Sequence, residues 1–112
     1  SAKAIGDFKF LAAQIGDGVA VDDLRTMALD IKNRLGESVV ALASVSAGKP
    51  IVVVATSDLA RAKGVKAGAL VKNASEILGG GGGGKDDFAQ GGGTNSAEIP
   101  NALSAIEKAL AK

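Results

Sequence analysis

The sequence predicts an α/β (α+β) fold: a single small domain in which helices pack on a mixed β-sheet. With 112 residues and 46% hydrophobic side chains, mostly Ala, Val, Leu and Ile, the chain can bury one modest core. Short apolar runs typical of strands alternate with segments of helical periodicity. A glycine-rich loop precedes the last helix. Together these features favour one domain spanning residues 1–112.

The first predicted elements are a strand and a helix. No element is predicted before residue 8, and residues 8–15 have the composition of a strand bounded by glycine turns. A helix is expected from about Asp23 to Leu35, because its apolar residues recur on one helical face. Asp22 is predicted to cap this helix, and Gly36 to end it.

A β-hairpin is predicted next. Residues 38–45 and 51–56 are apolar strands, and the turn between them is placed at residues 48–50. A connection this short joins antiparallel neighbours. The unbroken apolar run of residues 51–56 predicts a central strand covered on both faces.

The second half is predicted to be mainly helical. A short turn runs to Ala62, and a helix follows from about Lys66 to Leu78. After the glycine-rich loop, apolar residues spaced by four and three predict a final helix reaching the C-terminus, with Pro100 in its first turn. The coarse order is strand, helix, two strands, helix, glycine loop, helix.

The composition excludes several kinds of chemistry. The chain has no Cys and no His, so disulfides and His-based nucleophilic catalysis are excluded and a zinc site is not expected. We therefore assign no catalytic residue and no metal ligand. No apolar run approaches the roughly 20 residues of a membrane span, and no signal peptide is visible, so a cytoplasmic location without membrane contact is expected.

Positive charge is concentrated before the glycine-rich loop. Residues 49–85 contain six basic and two acidic side chains, a local charge of +4, whereas the rest of the chain carries −3. Nucleic-acid contact and simple solvation around a helix are both compatible with this cluster. The basic residues singled out here are Arg61, Lys63, Lys66 and Lys72.

Residues 79–93 hold nine of the 16 glycines. Ordering so many glycines costs backbone entropy, so the segment is either a flexible linker or a surface from which Cβ atoms must be absent. Lys85, Phe88 and Gln90 do not fit a linker. We expect a backbone surface that a sugar–phosphate chain can approach closely, with Lys85 supplying charge and Gln90 an amide.

Common nucleotide loops do not fit this segment. The phosphate loop of nucleotide hydrolases and the dinucleotide fingerprint both follow a strand, whereas a helix precedes this loop. Phe88 is expected to anchor the loop on the core, with base stacking as the alternative. Asp86 and Asp87 suit turn formation better than acid–base catalysis or metal binding, since no other carboxylate lies nearby in the sequence.

The segment GGGGGGKDDFAQGGG closely resembles the glycine-rich signature near the C-terminus of alanyl-tRNA synthetases. Lys85, Asp87, Ala89 and Gln90, between two glycine clusters, carry the resemblance. It covers about the last two thirds of the chain, and the first strand and helix fit it more loosely. The same domain type, DHHA1, also follows the catalytic domain of DHH phosphoesterases, usually with a shorter glycine loop.

The resemblance implies a DHHA1-like, C-Ala domain that binds tRNA(Ala) at its elbow, the corner where the D and T loops meet. It implies no catalysis and no cofactor in this domain; ATP, Mg²⁺ and Zn²⁺ would act in other domains of the same synthetase, which are also expected partners. The helical segment used for dimerisation in the family is not evident here, and nothing indicates self-association. The predicted RNA-binding residues are Gly81, Gly82, Gly83, Gly84, Lys85, Gln90, Gly91, Gly92, Arg61, Lys63, Lys66 and Lys72.

Two other functions remain compatible with the sequence. An accessory domain of a DHH phosphoesterase would use the loop to hold a nucleotide or a short oligonucleotide. A protein-interaction or dimerisation module would use the Ala-rich helices to associate with another chain. Affinity for dinucleotides, or association without RNA, would distinguish these from tRNA binding.

Overall fold

A computed structural model describes residues 2–111 as a six-stranded mixed sheet with helices on both faces. The strands are β1 (Lys3–Ile5), β2 (Phe8–Gln14), β3 (Ser38–Ser46), β4 (Lys49–Thr56), β5 (Gly82–Gly84) and β6 (Phe88–Gly92). The helices are α1 (Val21–Leu35), α2 (Asp58–Ala62), α3 (Ala67–Ile77) and α4 (Ile99–Leu110), the last preceded by a 3₁₀ turn, Ser96–Glu98. The strand order is β1-β2-β3-β4-β6-β5, with β2 and β3 parallel and the other neighbours antiparallel. The predicted fold class is confirmed.

The central strands are covered on both faces, as the apolar run predicted. Val52 and Val54 of β4 face the cluster formed with α3 and α4. Val53 and Ala55 face the opposite cluster, where Leu24 of α1 is fully buried. Because successive strand residues point to opposite faces, a strand without polar alternation requires both faces to be buried.

Two strand boundaries differ from the prediction. Residues 3–5, where no element was predicted, form β1 and pair antiparallel with β2. The hairpin turn lies at Ala47 and Gly48 rather than at 48–50, with positive φ angles of 52° and 78°. Pro50 lies inside β4, where its carbonyl accepts a hydrogen bond from the Gly93 N–H. A two-residue turn with positive φ at both positions matches the twist of the flanking strands.

The start of α1 also differs from the prediction. The helix begins at Val21, and the cap position, Ala20, makes no side-chain hydrogen bond. Asp22 was predicted as the cap and instead lies in the first turn with Asp23, where both carboxylates face the positive end of the helix dipole. Gly36 ends the helix at φ 80°, as predicted.

The glycine-rich segment is more ordered than the predicted loop. Its two halves form β5 and β6, an antiparallel hairpin in which β6 pairs with β4 and β5 is the edge of the sheet. The ladder satisfies main-chain groups that a free loop would leave to water. Helix α3 packs on one side of this hairpin, whereas α1, on the other side, packs mainly on β3 and β4. The hairpin therefore has one covered face and one largely open face.

Candidate nucleic-acid interface

The tip of the glycine hairpin, residues 85–87, is fixed by its own carbonyl groups. The Asp86 carbonyl accepts hydrogen bonds from Thr56 Oγ1 at 2.6 Å and from the Ala67 N–H at 2.9 Å. The Lys85 carbonyl accepts from the Gly68 N–H at 3.1 Å. The first amide groups of α3 are thus already bonded to the tip, and the Lys85 side chain is exposed. The tip is a fixed turn, and the main chain rather than the Asp86 carboxylate makes these bonds.

Most glycines of the hairpin are required by close packing. A Cβ at Gly91 would lie 2.2 Å from Ser75 Oγ, and one at Gly82 would lie 2.4 Å from the Gly91 Cα. At Gly84 it would lie 2.8 Å from the Ala89 Cα, and at Gly92 it would lie 2.5 Å from the carbonyl oxygen of Pro50. Real Cβ atoms do not approach so closely, so the fold itself demands glycine at these four predicted RNA-binding positions.

Gly81 and Gly83 have no such requirement. A Cβ at either position would meet no heavy atom within 4 Å, and neither residue has a positive φ. Glycine also weakens a strand, since it gains no side-chain packing and loses more backbone entropy. Neither packing nor backbone conformation within residues 2–111 accounts for glycine at these two positions.

The strand register shows which way the open surface faces. Gly83 pairs with Gln90, and Gln90 pairs with Val53, which belongs to the apolar cluster of α1. Phe88, two residues before Gln90, points to the same side. A cleft of about 330 Å³ lies on this side of the hairpin. Its lining consists of Arg25, Gly83, Gly84, Lys85, Asp87, Phe88, Ala89 and Gln90.

Phe88 is half-buried and packs with the α1 cluster, which supports its predicted role as an anchor. The guanidinium carbon of Arg25 lies 4.9 Å from the centre of the Phe88 ring, a cation–π arrangement. Arg25 comes from the second turn of α1 and was not among the predicted site residues. No local sequence pattern identifies Arg25 as a site residue, because Phe88, which it contacts in the cleft, lies more than 60 residues further along the chain.

The predicted basic residues of the α2–α3 region do not line the cleft on the α1 side of the hairpin. Arg61 donates a hydrogen bond to the Thr56 carbonyl and forms an ion pair with Asp58. Lys63 forms an ion pair with Asp7 at 3.0 Å.

The surroundings of Lys63 and Lys66 show which side of the sheet they belong to. Both residues line a second cleft, of about 670 Å³, whose walls include Phe8, Leu70 and the C-terminal end of α4. Phe8 and Leu70 belong to the α3–α4 apolar cluster, so this cleft opens on that side of the sheet. Lys72 is exposed on α3. The predicted RNA-binding residues therefore occupy more than one surface.

Residues 2–111 contain neither a membrane-spanning helix nor a cluster of metal ligands. No helix there is long and apolar enough to span a membrane. No group of three or more acidic, His or Cys side chains in that range is placed to hold a metal ion.

Comparison with known proteins agrees with the sequence signature. Residues 7–112 match the DHHA1 domain family. An alanine–tRNA ligase of Renibacterium salmoninarum is 54% identical over 98% of this chain, which spans 12% of that protein's length.

Solved structures agree on the fold. The C-Ala domain of Aquifex aeolicus alanyl-tRNA synthetase superposes with a TM-score of 0.89 at 29% identity, covering 100% of this chain and 99% of that one. A DHH-domain member of the S1P family of ribosomal proteins shares the fold at a TM-score of 0.64 and 18% identity, over 100% of this chain and 28% of that one. The chain therefore belongs to the DHHA1 domain family, in the C-Ala form that alanyl-tRNA synthetases carry.

Proposed function

We propose that this domain binds folded tRNA without catalysing a reaction, through the open face of the glycine hairpin. One observation carries the proposal: Gly81 and Gly83 are glycines that neither packing nor backbone conformation requires. Glycine weakens a strand, so a surface that lacks side chains without a packing reason suits a ligand that lies flat against the main chain. The relatives are alanine–tRNA ligases, which makes tRNA(Ala) the expected ligand.

The elbow of the tRNA is the part that this surface fits best. Most of the elbow is paired and stacked, so a protein contacts it through shape and backbone more than through base edges. A flat glycine surface can lie against an exposed base pair, as an aromatic ring would, while Lys85 and Gln90 supply a cation and an amide beside it.

The role in the whole protein follows from this contact. The chain spans about one eighth of the length of the relatives it matches. Holding the elbow would help present one tRNA to aminoacylation and editing sites in the other domains, where ATP, Mg²⁺ and Zn²⁺ would act. A tethered domain raises the effective concentration of its partners on the same tRNA, so even weak binding by the isolated domain is useful.

A salt titration of binding tests the proposal. Fluorescence anisotropy of a labelled tRNA(Ala) transcript is measured with the domain at increasing KCl, with and without an excess of an unlabelled dinucleotide. We expect the binding constant to fall with salt, because phosphate contacts release counterions, and the dinucleotide not to compete. Competition by the dinucleotide would favour the phosphoesterase-type function. Absence of binding at low salt would contradict the proposal.

A further inference from the structure

We infer that Arg25 of α1 is a phosphate-binding residue of the tRNA surface, paired with Lys85 across the cleft on the α1 side of the hairpin. The inference rests on the proposed function and adds to it both a residue and a direction of approach. The RNA would reach the glycine hairpin from the α1 side. Lys63 and Lys66, which line a different cleft, would then lie outside the contact.

The Arg25 guanidinium is positioned at the cleft by an aromatic ring. It lies over the face of Phe88, 4.9 Å from the ring centre, and both residues line the cleft that Gly83 and Gln90 also line. A guanidinium held over a ring is restrained by that contact, while its N–H donors can still bind an anion. Because the side chain is already restrained beside the cleft, less side-chain entropy is lost on binding.

Arg25 and Lys85 are both available to an external anion. Among residues 2–111, neither Arg25 nor Lys85 takes part in any of the side-chain ion pairs, whereas Arg61, Lys63 and Arg34 each have a carboxylate partner. Arg25 and Lys85 are also both exposed. A cation without an internal partner gains more from an external phosphate than one that must first release a carboxylate.

The charge and size of the cleft suit one phosphate group. Its lining holds two cations, Arg25 and Lys85, and one carboxylate, Asp87. A net charge of one fits a single phosphate group beside the flat glycine surface, not a long run of phosphates. The cleft, of about 330 Å³, lies at the lower end of the size range of small-ligand pockets, which leaves room for about one nucleotide unit. Arg25 would thus fix the register of the RNA on the hairpin.

The test compares two arginines of the same helix. Arg25→Gln removes the cation from the cleft, and Arg34→Gln removes a cation nine residues later, roughly half a turn around the helix from Arg25. Affinity for the labelled tRNA(Ala) transcript is measured across a salt series for both variants, for Arg25→Lys, Lys63→Gln and Gly83→Ala, and for the unmodified domain. Circular dichroism and urea unfolding verify that each variant is folded.

We expect Arg25→Gln to weaken binding about fivefold near 0.1 M salt and to reduce the salt slope by about 1, as loss of one phosphate contact would. Arg34→Gln and Lys63→Gln should stay within about twofold of the unmodified domain. Arg25→Lys should recover only part of the loss, because a lysine keeps the charge but not the stacked planar fork.

The outcomes separate this inference from the proposed function. If Gly83→Ala weakens binding while Arg25→Gln does not, the hairpin binds tRNA and the inference about Arg25 is wrong. If Arg34→Gln weakens binding as much as Arg25→Gln, only the overall charge matters and the inference is again wrong. If the unmodified domain does not bind tRNA at low salt, the proposed function and the inference fall together.

Discussion

The two faces of the glycine hairpin contain the same residue for different physical reasons. On the α3 face, Gly82 and Gly91 lie against Ser75 and against each other so closely that no Cβ fits. On the α1 face, a Cβ at Gly81 or Gly83 would meet nothing. Packing requires glycine on the first face, whereas on the second face the proposed function would explain it, because the RNA would lie against the main chain. If so, one glycine-rich signature combines a stability requirement with a binding requirement, and substitutions on the two faces separate them.

The largest expected effect is at Gly93, just after β6. A Cβ there would lie 2.1 Å from the Leu78 carbonyl oxygen, which already accepts hydrogen bonds from the Thr94 and Asn95 N–H groups. Because main-chain atoms cannot move aside as a side chain can, Gly93→Ala should lower the free energy of unfolding by about 3 kcal/mol. Urea unfolding followed by circular dichroism measures this. A loss below about 1 kcal/mol would mean that the packed face is more adaptable than its distances indicate.

The next effect concerns Ser75, which α3 places against the hairpin. Its hydroxyl is buried and finds no hydrogen-bond partner among residues 2–111. Removing an unsatisfied buried hydroxyl removes its desolvation cost, so Ser75→Ala should leave stability unchanged or raise it by about 1 kcal/mol. Gly91→Ala should cost about 2 kcal/mol, since the new Cβ meets Ser75 Oγ.

A double-mutant cycle with these two variants tests the contact directly. The pair Ser75→Ala and Gly91→Ala should be less destabilised than the sum of the single changes, because the same hydroxyl causes the clash. If urea unfolding shows that the two changes in the free energy of unfolding are strictly additive, the Ser75 hydroxyl is not the cause of the destabilisation by Gly91→Ala.

The open face should respond through binding instead of stability. Gly83→Ala is expected to keep the free energy of unfolding within about 0.5 kcal/mol, because the methyl group meets no neighbour. It should weaken tRNA binding about fivefold by holding the RNA away from the main chain. The matched control is Gly16→Ala, in the β2–α1 connection, where a Cβ also meets nothing and φ is not positive. Equal affinity of the two variants would remove the distinction between the faces.

The smallest expected effect is at Glu37, which lies away from both faces of the hairpin. A substitution there should change stability slightly and leave tRNA binding unchanged. The Leu59 N–H donates to Glu37 Oε1 at 2.7 Å, and this bond, with a smaller contribution from Ser57, lowers the pKa of the Glu37 carboxyl from its ordinary 4.5. A carboxyl whose pKa is lower in the folded state than in the unfolded state stabilises the fold at pH values above its unfolded-state pKa. This stabilisation is lost as the pH falls through the folded-state pKa, because the carboxylate becomes protonated. Glu37→Gln should therefore reduce the melting temperature slightly near neutral pH.

The pH dependence provides the check on this prediction. The difference in melting temperature between Glu37→Gln and the unmodified chain should shrink below pH 4.5 as the carboxyl becomes protonated. tRNA affinity at neutral pH should not change, since Glu37 lies outside both clefts. A difference that stays constant with pH would mean that the charge of Glu37 is not what matters.

Most of the fold could be predicted from local pattern. The apolar run of residues 51–56 indicated a strand buried on both faces, and the 3.6-residue periodicity located three helices to within about two residues. The missed elements lacked such a pattern. β1 is three residues long, β5 consists of glycines alone, and β6 ends in two glycines, so none of the three shows the alternation that identifies a strand. Each is a strand because it pairs with a neighbouring strand of the sheet.

The sequence by itself determined the composition of the signature, the absence of His and Cys chemistry, and the family. Only the tertiary structure decided which glycines are packed and which are open, because that depends on where α3 and α1 lie. It also decided that Arg25 and Phe88 share a cleft while Lys63 and Lys66 line another. Local pattern records what a residue prefers within its own turn or strand. Which distant residues become neighbours follows from the packing of whole elements.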